Sequence, residues 1–490
     1  MKKVLVILLL ASTFSACKKD ITSLNTDPKN PTIVPSYALF TNAERVLTNT
    51  VTSSNVNLNI FRLIEQQWQE TTYTDESNYD ITTRPIPDNV WDALYRDVLY
   101  NLERTKKLIP TDVTGAVAQK NEIAITDIVQ VYTYYYLVTT FGNIPYSEAL
   151  DIDKPFPKFD DAQTVYAQLI TRLDADIAAL AAGDSFGSAD VIYSGDPTAW
   201  KKFAATLKLK MGITLADADN AKAKAAVESA VATGVFGSNA DNALFQYQTS
   251  PPNTNPIWVD LIQSGRQDFV ACSTIMGFLQ PAPATLLPPD PRLPYFFTVN
   301  NPGKYAGAAP GASAAFGDFS KPSGPLLVSS SIGKITNPDF PGLLLDYAET
   351  EFNLAEAVSR GYSVGGGTVK DHYDKGVTAS VTYWGASSTA AATYLAQPNV
   401  AFATAPGTTE LHKIALQKYL ALYNRGWDAW IETRRLDYPV LIAPETAKTD
   451  FPVRLTYPVN EQNVNVTNYN KAAEAIGGDK VTTKLFFDKH

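Results

Sequence analysis

Residues 125–145 read Ile125-Thr-Asp-Ile-Val-Gln-Val-Tyr-Thr-Tyr-Tyr-Tyr-Leu-Val-Thr-Thr-Phe-Gly-Asn-Ile-Pro145. Ile125, Ile128, Val129, Tyr132 and Tyr136 recur at i, i+3, i+4, i+7 and i+11, which is the repeat of one helical face. Glu122, Thr126, Gln130 and Thr133 fall on the opposite face. Gly142 supplies the stop, and Pro145 prevents the helix from restarting. A long amphipathic helix over 117–140 is the expectation, and it sets the class of the whole chain as mainly α.

Working outward, the same period predicts helices over 37–51, 58–70, 88–108 and 161–182. Asp196-Pro197 is an N-cap followed by proline at the first helical position. The helix it opens carries Trp200, Phe203, Ala204, Leu207 and Met211 on one side, and another follows at 219–233. Helices return at 343–360, 369–383 and 410–438, the last with Gly426 as a kink or break. Between them lie a polar loop at 71–87 and an irregular stretch at 237–342 that is rich in Pro, Gly, Ser and Asn. A loop that long argues for a job other than packing. The tail from Val440 reads as extended. The helices look paired by short loops, but no fixed-period repeat is visible.

The first residues divide into a basic start (Lys2, Lys3), a short apolar core (Val4 to Ala11) and a small-residue run ending Ser15-Ala16-Cys17. That is an export signal over 1–16 with Cys17 as a lipidation site, although Phe14 stands where an aliphatic is usual. Eight or so apolar residues are too few to span a bilayer. Residues 17–34 read as a flexible tether, leaving 35–490 as one body. The chain carries 41 basic and 50 acidic side chains, a net charge of −9. Nucleic acid is therefore an unlikely partner on electrostatic grounds. Cys272 is the second of two cysteines, so no intramolecular disulfide forms once Cys17 is lipidated.

Chemical motifs are few. Gly361-Tyr-Ser-Val-Gly365 matches a nucleophile elbow built on Ser363, but that motif needs a strand-to-helix turn and here follows a helix. Gly361 reads better as a helix C-cap. Glu349 and Glu356 sit two turns apart on one helix, whereas paired catalytic carboxylates flank a cleft from opposite sides. Ion pairing, with Arg434 or Arg435, is the simpler reading. His372, His412 and His490 have no ligand spacing, Asp151 and Asp153 read as a solvated loop, and no metal or other cofactor is expected. What remains is aromatic: Tyr73, Tyr79 and Arg84, with Asn78, in the first loop, and Trp258, Tyr295, Tyr305, Phe316 and Phe319 in the long irregular stretch. Such rings stack on the apolar faces of sugars while Asn, Asp and Arg bond hydroxyls, or else they plug loops onto the core. Tyr73, Asn78, Tyr79, Arg84, Trp258, Tyr305 and Phe316 are the candidate ligand residues.

Several blocks, in order along the chain, resemble the SusD/RagB family of nutrient-binding outer-membrane lipoproteins, in particular its SusD-like branch. They are residues 132–149, Trp200 to Met211, Asp290-Pro-Arg-Leu-Pro-Tyr-Phe297, Tyr347 to Ala357, Gln417 to Tyr423 with Ala429 to Arg435, and Gly477-Gly-Asp with Phe486-Phe-Asp488. The segment Asn25 to Pro31 is also typical of that family. The resemblance implies tetratricopeptide-like helix pairs as a scaffold, with the loop-rich insertion carrying the ligand surface. It implies a SusC-like TonB-dependent β-barrel transporter as partner and anchorage in the outer membrane through Cys17. The ligand would be an oligosaccharide or other glycan, bound without catalysis. A peptide is the alternative within the family, and a hydrolase using Ser363 or Glu349/Glu356 the alternative outside it.

Overall fold

A computed structural model describes residues 34–280, 288–300, 303–323 and 334–490. The export signal, Cys17 and nearly all of the tether lie outside the described residues, as do three short parts of the irregular stretch.

The helices are α1 Ser36–Thr52, α2 over residues 86–112, α3 Ala116–Phe141, α4 Ala162–Ala179, α5 Pro197–Thr214 and α6 Asn220–Thr233. After them come α7 Ser273–Leu279, α8 Tyr347–Ser359, α9 Val369–Tyr383, α10 Ser388–Leu395, α11 Glu410–Ala421, α12 Gly426–Leu436, α13 Val459–Val464 and α14 Val466–Ala475. α2 contains a π-helical stretch, Ala93–Leu99. The main packing is pairwise: α1 on α2, α3 on α4, α5 on α6 and α8 on α9. Starts are fixed chemically. Asp161, Asp196, Asp219, Asp346, Ser387 and Thr409 each accept a hydrogen bond from a backbone N–H in the first turn, worth about 1 kcal/mol apiece. Thr368 and Asp371 form a reciprocal capping box at α9.

Three two-stranded antiparallel ribbons join distant segments. β1 Trp68–Glu70 pairs with β5 Phe269–Ala271, β2 Ile144–Pro145 with β3 Phe159–Asp160, and β4 Ala243–Phe245 with β6 Gly342–Leu345. One large apolar core is built from α1 to α6 with residues of α8, α12 and the tail, and a second surrounds Trp68, Phe296, Trp384 and Tyr423. A third lies between α8, α9 and α10.

The structure corrects several boundaries. The helix expected at 58–70 is a single turn, Phe61–Ile64, followed by β1, because Gln66 adopts φ 53° and turns the chain into the β5 ladder. α8 begins at Tyr347, since residues 342–345 pair with β4 and Asp346 caps the helix. The helix expected at 410–438 is two, broken at Asn424 with φ 68°. α10 was unforeseen, and the tail holds α13 and α14. The polar face of α3 is also buried. From Ala124 to Phe141 no side chain is exposed, and Asp127 meets Arg172 of α4 and Lys106 of α2.

Two outcomes follow from this packing. A Cβ on Gly426 would stand 2.4 Å from the backbone nitrogen of Arg62, so Gly426→Ala is expected to lower stability by about 2 kcal/mol, read from the denaturation midpoint. Glu122 is 5% exposed. Burial first, and the charge of Asp112 second, push its carboxyl up to about 7. The folded chain therefore holds a proton that the unfolded chain releases near 4.3, and stability falls as pH rises through that interval. Glu122→Gln is expected to gain stability over the parent between about pH 5 and about pH 8, by on the order of 1 kcal/mol, read from the change in melting temperature. A constant difference across that range would exclude the assignment.

Candidate functional site

A cleft of about 270 Å³ opens beside the end of β1. Its walls are the 54–57 turn after α1, residues 70–73 with Arg84, and residues 259–269, which include the first residue of β5. The loop after β1 is strained and tightly held. Tyr73 at φ 29° and Tyr79 at φ 64° are non-glycine residues in the left-handed region, a geometry that persists only where surroundings impose it.

Asn78 imposes much of it. Its Nδ2 donates to the carbonyls of Thr74 and Gly311, each at 2.8 Å, and its Oδ1 accepts from Thr446 Oγ1 at 2.7 Å. Its own carbonyl accepts from Lys448 N at 2.8 Å. Gly311 is needed opposite, because a Cβ there would come within 2.3 Å of Asn78 Oδ1. Thr71 is bonded on both sides, its N–H donating to the Asp268 carbonyl and its carbonyl accepting from Ala314 N.

Of the candidate ligand residues, the structure brings Tyr73 and Arg84 to the cleft. Tyr73 is 73% exposed at the rim. Arg84 is about one-third exposed and pairs with the fully buried Glu76 at 2.6 Å. Asn78 and Tyr79 are buried behind them. The Tyr79 hydroxyl accepts from Gln66 Nε2 at 3.1 Å and its ring meets the edge of Phe451, so it offers no open face for stacking. Trp258 is half-buried on the turn next to cleft-lining Val259. Tyr305 packs against the second core, and Phe316 lies under the Lys321 ammonium, 4.7 Å from the ring centre. Tyr295 is tied to the Gly385 carbonyl.

Sequence reasoning missed Glu70, Asp260, Arg266 and Asp268, all on the cleft wall. The run Ser264-Gly-Arg-Gln-Asp268 was the available signal, a charged turn inside a polar stretch. Arg266 pairs with Asp268 at 2.5 Å, and Asp260 accepts from Ser54 Oγ at 2.9 Å. Burial first, with the neighbouring Glu76, pushes the Glu70 carboxyl up to about 9.

The other chemical candidates are structural. Gly361 at φ 79° caps α8, and the Ser363 N–H donates to Glu228. Both ring nitrogens of His372 are engaged, by Glu351 and by the Gly366 carbonyl. Glu356 takes both terminal nitrogens of Arg435 at 2.6 Å, while Glu349 pairs with Arg425 and Lys210. Arg434, the other suggested partner, instead donates to backbone carbonyls. Asp151 bonds the Asp153 N–H in a local turn. Among the described residues no cluster of three metal-ligating side chains occurs, and no helix is long and apolar enough to cross a membrane.

No match is found among curated proteins. Solved structures are similar over nearly the whole length. A SusD homolog from Bacteroides uniformis is 25% identical with a TM-score of 0.75, covering 93% of this chain and 100% of its own. A SusD homolog from Parabacteroides distasonis is 21% identical with a TM-score of 0.78, covering 92% of this chain and 98% of its own. A chitin-binding SusD homolog from Flavobacterium johnsoniae is 22% identical with a TM-score of 0.74, covering 93% and 99%. With paired helices throughout and residues 28–458 matching the family described as "Starch-binding associating with outer membrane", the chain belongs to the SusD-like family.

Proposed function

We propose that this protein binds a glycan at the outer membrane without altering it, and delivers it to a TonB-dependent β-barrel transporter. In this reading the lipid on Cys17 is the anchor. The observation that carries it is the cleft itself: one freely exposed aromatic ring, Tyr73, stands over a wall of Asn, Ser, Asp and Arg side chains in a member of a starch-binding family. An aromatic face with polar groups beside it suits a sugar, which is apolar on its ring faces and hydroxylated at its edges. The chitin-binding Flavobacterium johnsoniae relative is consistent with a polysaccharide ligand. Cleavage is not part of the reading, because Glu349 and Glu356 are engaged in ion pairing and Ser363 lies in the loop after a helix end, with its N–H on Glu228 and not on a strand-to-helix turn. The charged groups in the cleft favour a peptide as second reading, although both guanidinium groups there already have carboxylate partners.

Glycan-array screening of the mature chain, followed by calorimetry, tests this directly. Tyr73→Ala is expected to weaken the best glycan by roughly tenfold, about 1.4 kcal/mol, with an unchanged melting temperature. Unchanged affinity would remove the cleft from the proposal, and binding confined to peptides would replace the ligand class.

A further inference from the structure

We infer that this cleft selects uncharged glycans and turns away those bearing uronate groups; the inference rests on the glycan reading above. The lining holds two cations, Arg84 and Arg266, and neither is free. Arg84 is held at 2.6 Å by Glu76, whose side chain is fully buried, so that carboxylate has no solvent to swing into. Arg266 is held by Asp268 at 2.5 Å. Against these two cations the walls carry Glu70, Asp260 and Asp268, with Glu76 immediately behind. Asp260 is fixed by Ser54 and turned toward the same space. Arg62, whose charge also reaches Asp260 from behind the wall, is taken up by the Thr52 and Ser53 carbonyls and by Asn424, so among the described residues no guanidinium group at the cleft is left unpaired for an incoming anion.

A uronate entering such a site must give up water without gaining an unpaired donor, and must sit near fixed negative charge. Both effects act against it. Taking Arg84 for itself would leave the fully buried Glu76 without its charge partner, a loss that offsets what the new pair returns. An uncharged sugar meets neither obstacle. Its hydroxyls accept from the guanidinium N–H groups left over by the ion pairs and donate to Asp260 and Asp268, while its ring faces Tyr73. The net charge of −9 adds a long-range term of the same sign.

Calorimetry on the mature chain tests the inference with matched ligands that differ at one carbon. The neutral probe is β-1,4-mannohexaose and its anionic counterpart is the β-1,4-mannuronate hexamer; chitohexaose and an oligogalacturonate serve as a second neutral and a second anionic probe. The neutral probe is expected to bind at least about tenfold more tightly than its anionic counterpart. The readout for variants is the ratio of the two affinities. Asp268→Asn, which frees Arg266 on the exposed side of the cleft, is expected to cut that ratio about tenfold. Glu76→Gln, which frees Arg84, is expected to act in the same direction; should it fail to fold, Asp268→Asn alone decides. A mannuronate hexamer that binds as tightly as mannohexaose would overturn the selectivity and leave glycan binding standing. So would an unchanged ratio in Asp268→Asn. Failure of all four probes and of every glycan on the array would remove the glycan reading, and this inference with it.

Discussion

The structure depends on a cluster of ions buried where four segments meet. Asp428 of α12 accepts from the Tyr136 hydroxyl of α3 at 2.9 Å and is paired with Lys210 of α5. Arg425 reaches Asp428, Glu349 of α8 and the cap residue Asp346. Tyr132 closes the arrangement by donating to the Leu344 carbonyl of β6 at 2.6 Å. Lys210 and Arg425 are almost wholly enclosed. An ion in that position is tolerable only while every partner is present, because removing one strands the others in a medium that cannot solvate them. The cluster is therefore a condition on assembly: α3, α5, α8 and α12 are in register together or the charges are unpaired. A second set repeats the logic nearby, with Arg435 shared between Glu356 and Glu432, and Arg360 between Glu356 and Asp217.

This explains which parts of the fold were legible in the sequence. The stretches that carry the family resemblance, around Tyr132, Lys210, Tyr347 and Arg435, supply several of the clustered ions and hydroxyls, while Arg425, Asp428 and Asp346 lie just outside them. Their helices also announce themselves locally, through an apolar period and, for α5, through the Asp196-Pro197 cap. Where tertiary contacts override the local pattern, the reading failed. Residues 58–70 carry enough apolar spacing to suggest a helix, yet the β5 ladder takes Trp68–Glu70. Glu122, Thr126, Gln130 and Thr133 fall on a polar face, but α3 is enclosed from Ala124 onward: Gln130 and Asp127 meet Lys106 of α2 and Arg172 of α4, and Thr126 and Thr133 donate to carbonyls of α3 itself.

The cleft was only partly legible, for a different reason. Tyr73 and Arg84 were found by residue type, and so were Asn78 and Tyr79, which lie in the same loop and do another task. Nothing in a loop sequence says which side chains face out. That is set by positive φ at Tyr73 and Tyr79, and by Asn78 reaching segments more than 200 residues away at Gly311 and Thr446. Asp260, Arg266 and Asp268 enter only because β1 pairs with β5, a long-range contact with no local signature.

The walls of the cleft come from a turn, a loop and a ribbon end, and none of these contributes an ion to the central cluster. The exposed residues among them, Tyr73 and Arg266, are thus set apart from those that decide whether the chain folds, whereas Arg84 and Asp260 keep buried partners in Glu76 and Ser54. A lineage carrying this architecture can exchange Tyr73 or Arg266 one at a time and remain a well-folded protein at every step. The surface of the cleft can therefore change long before the shape of the protein does.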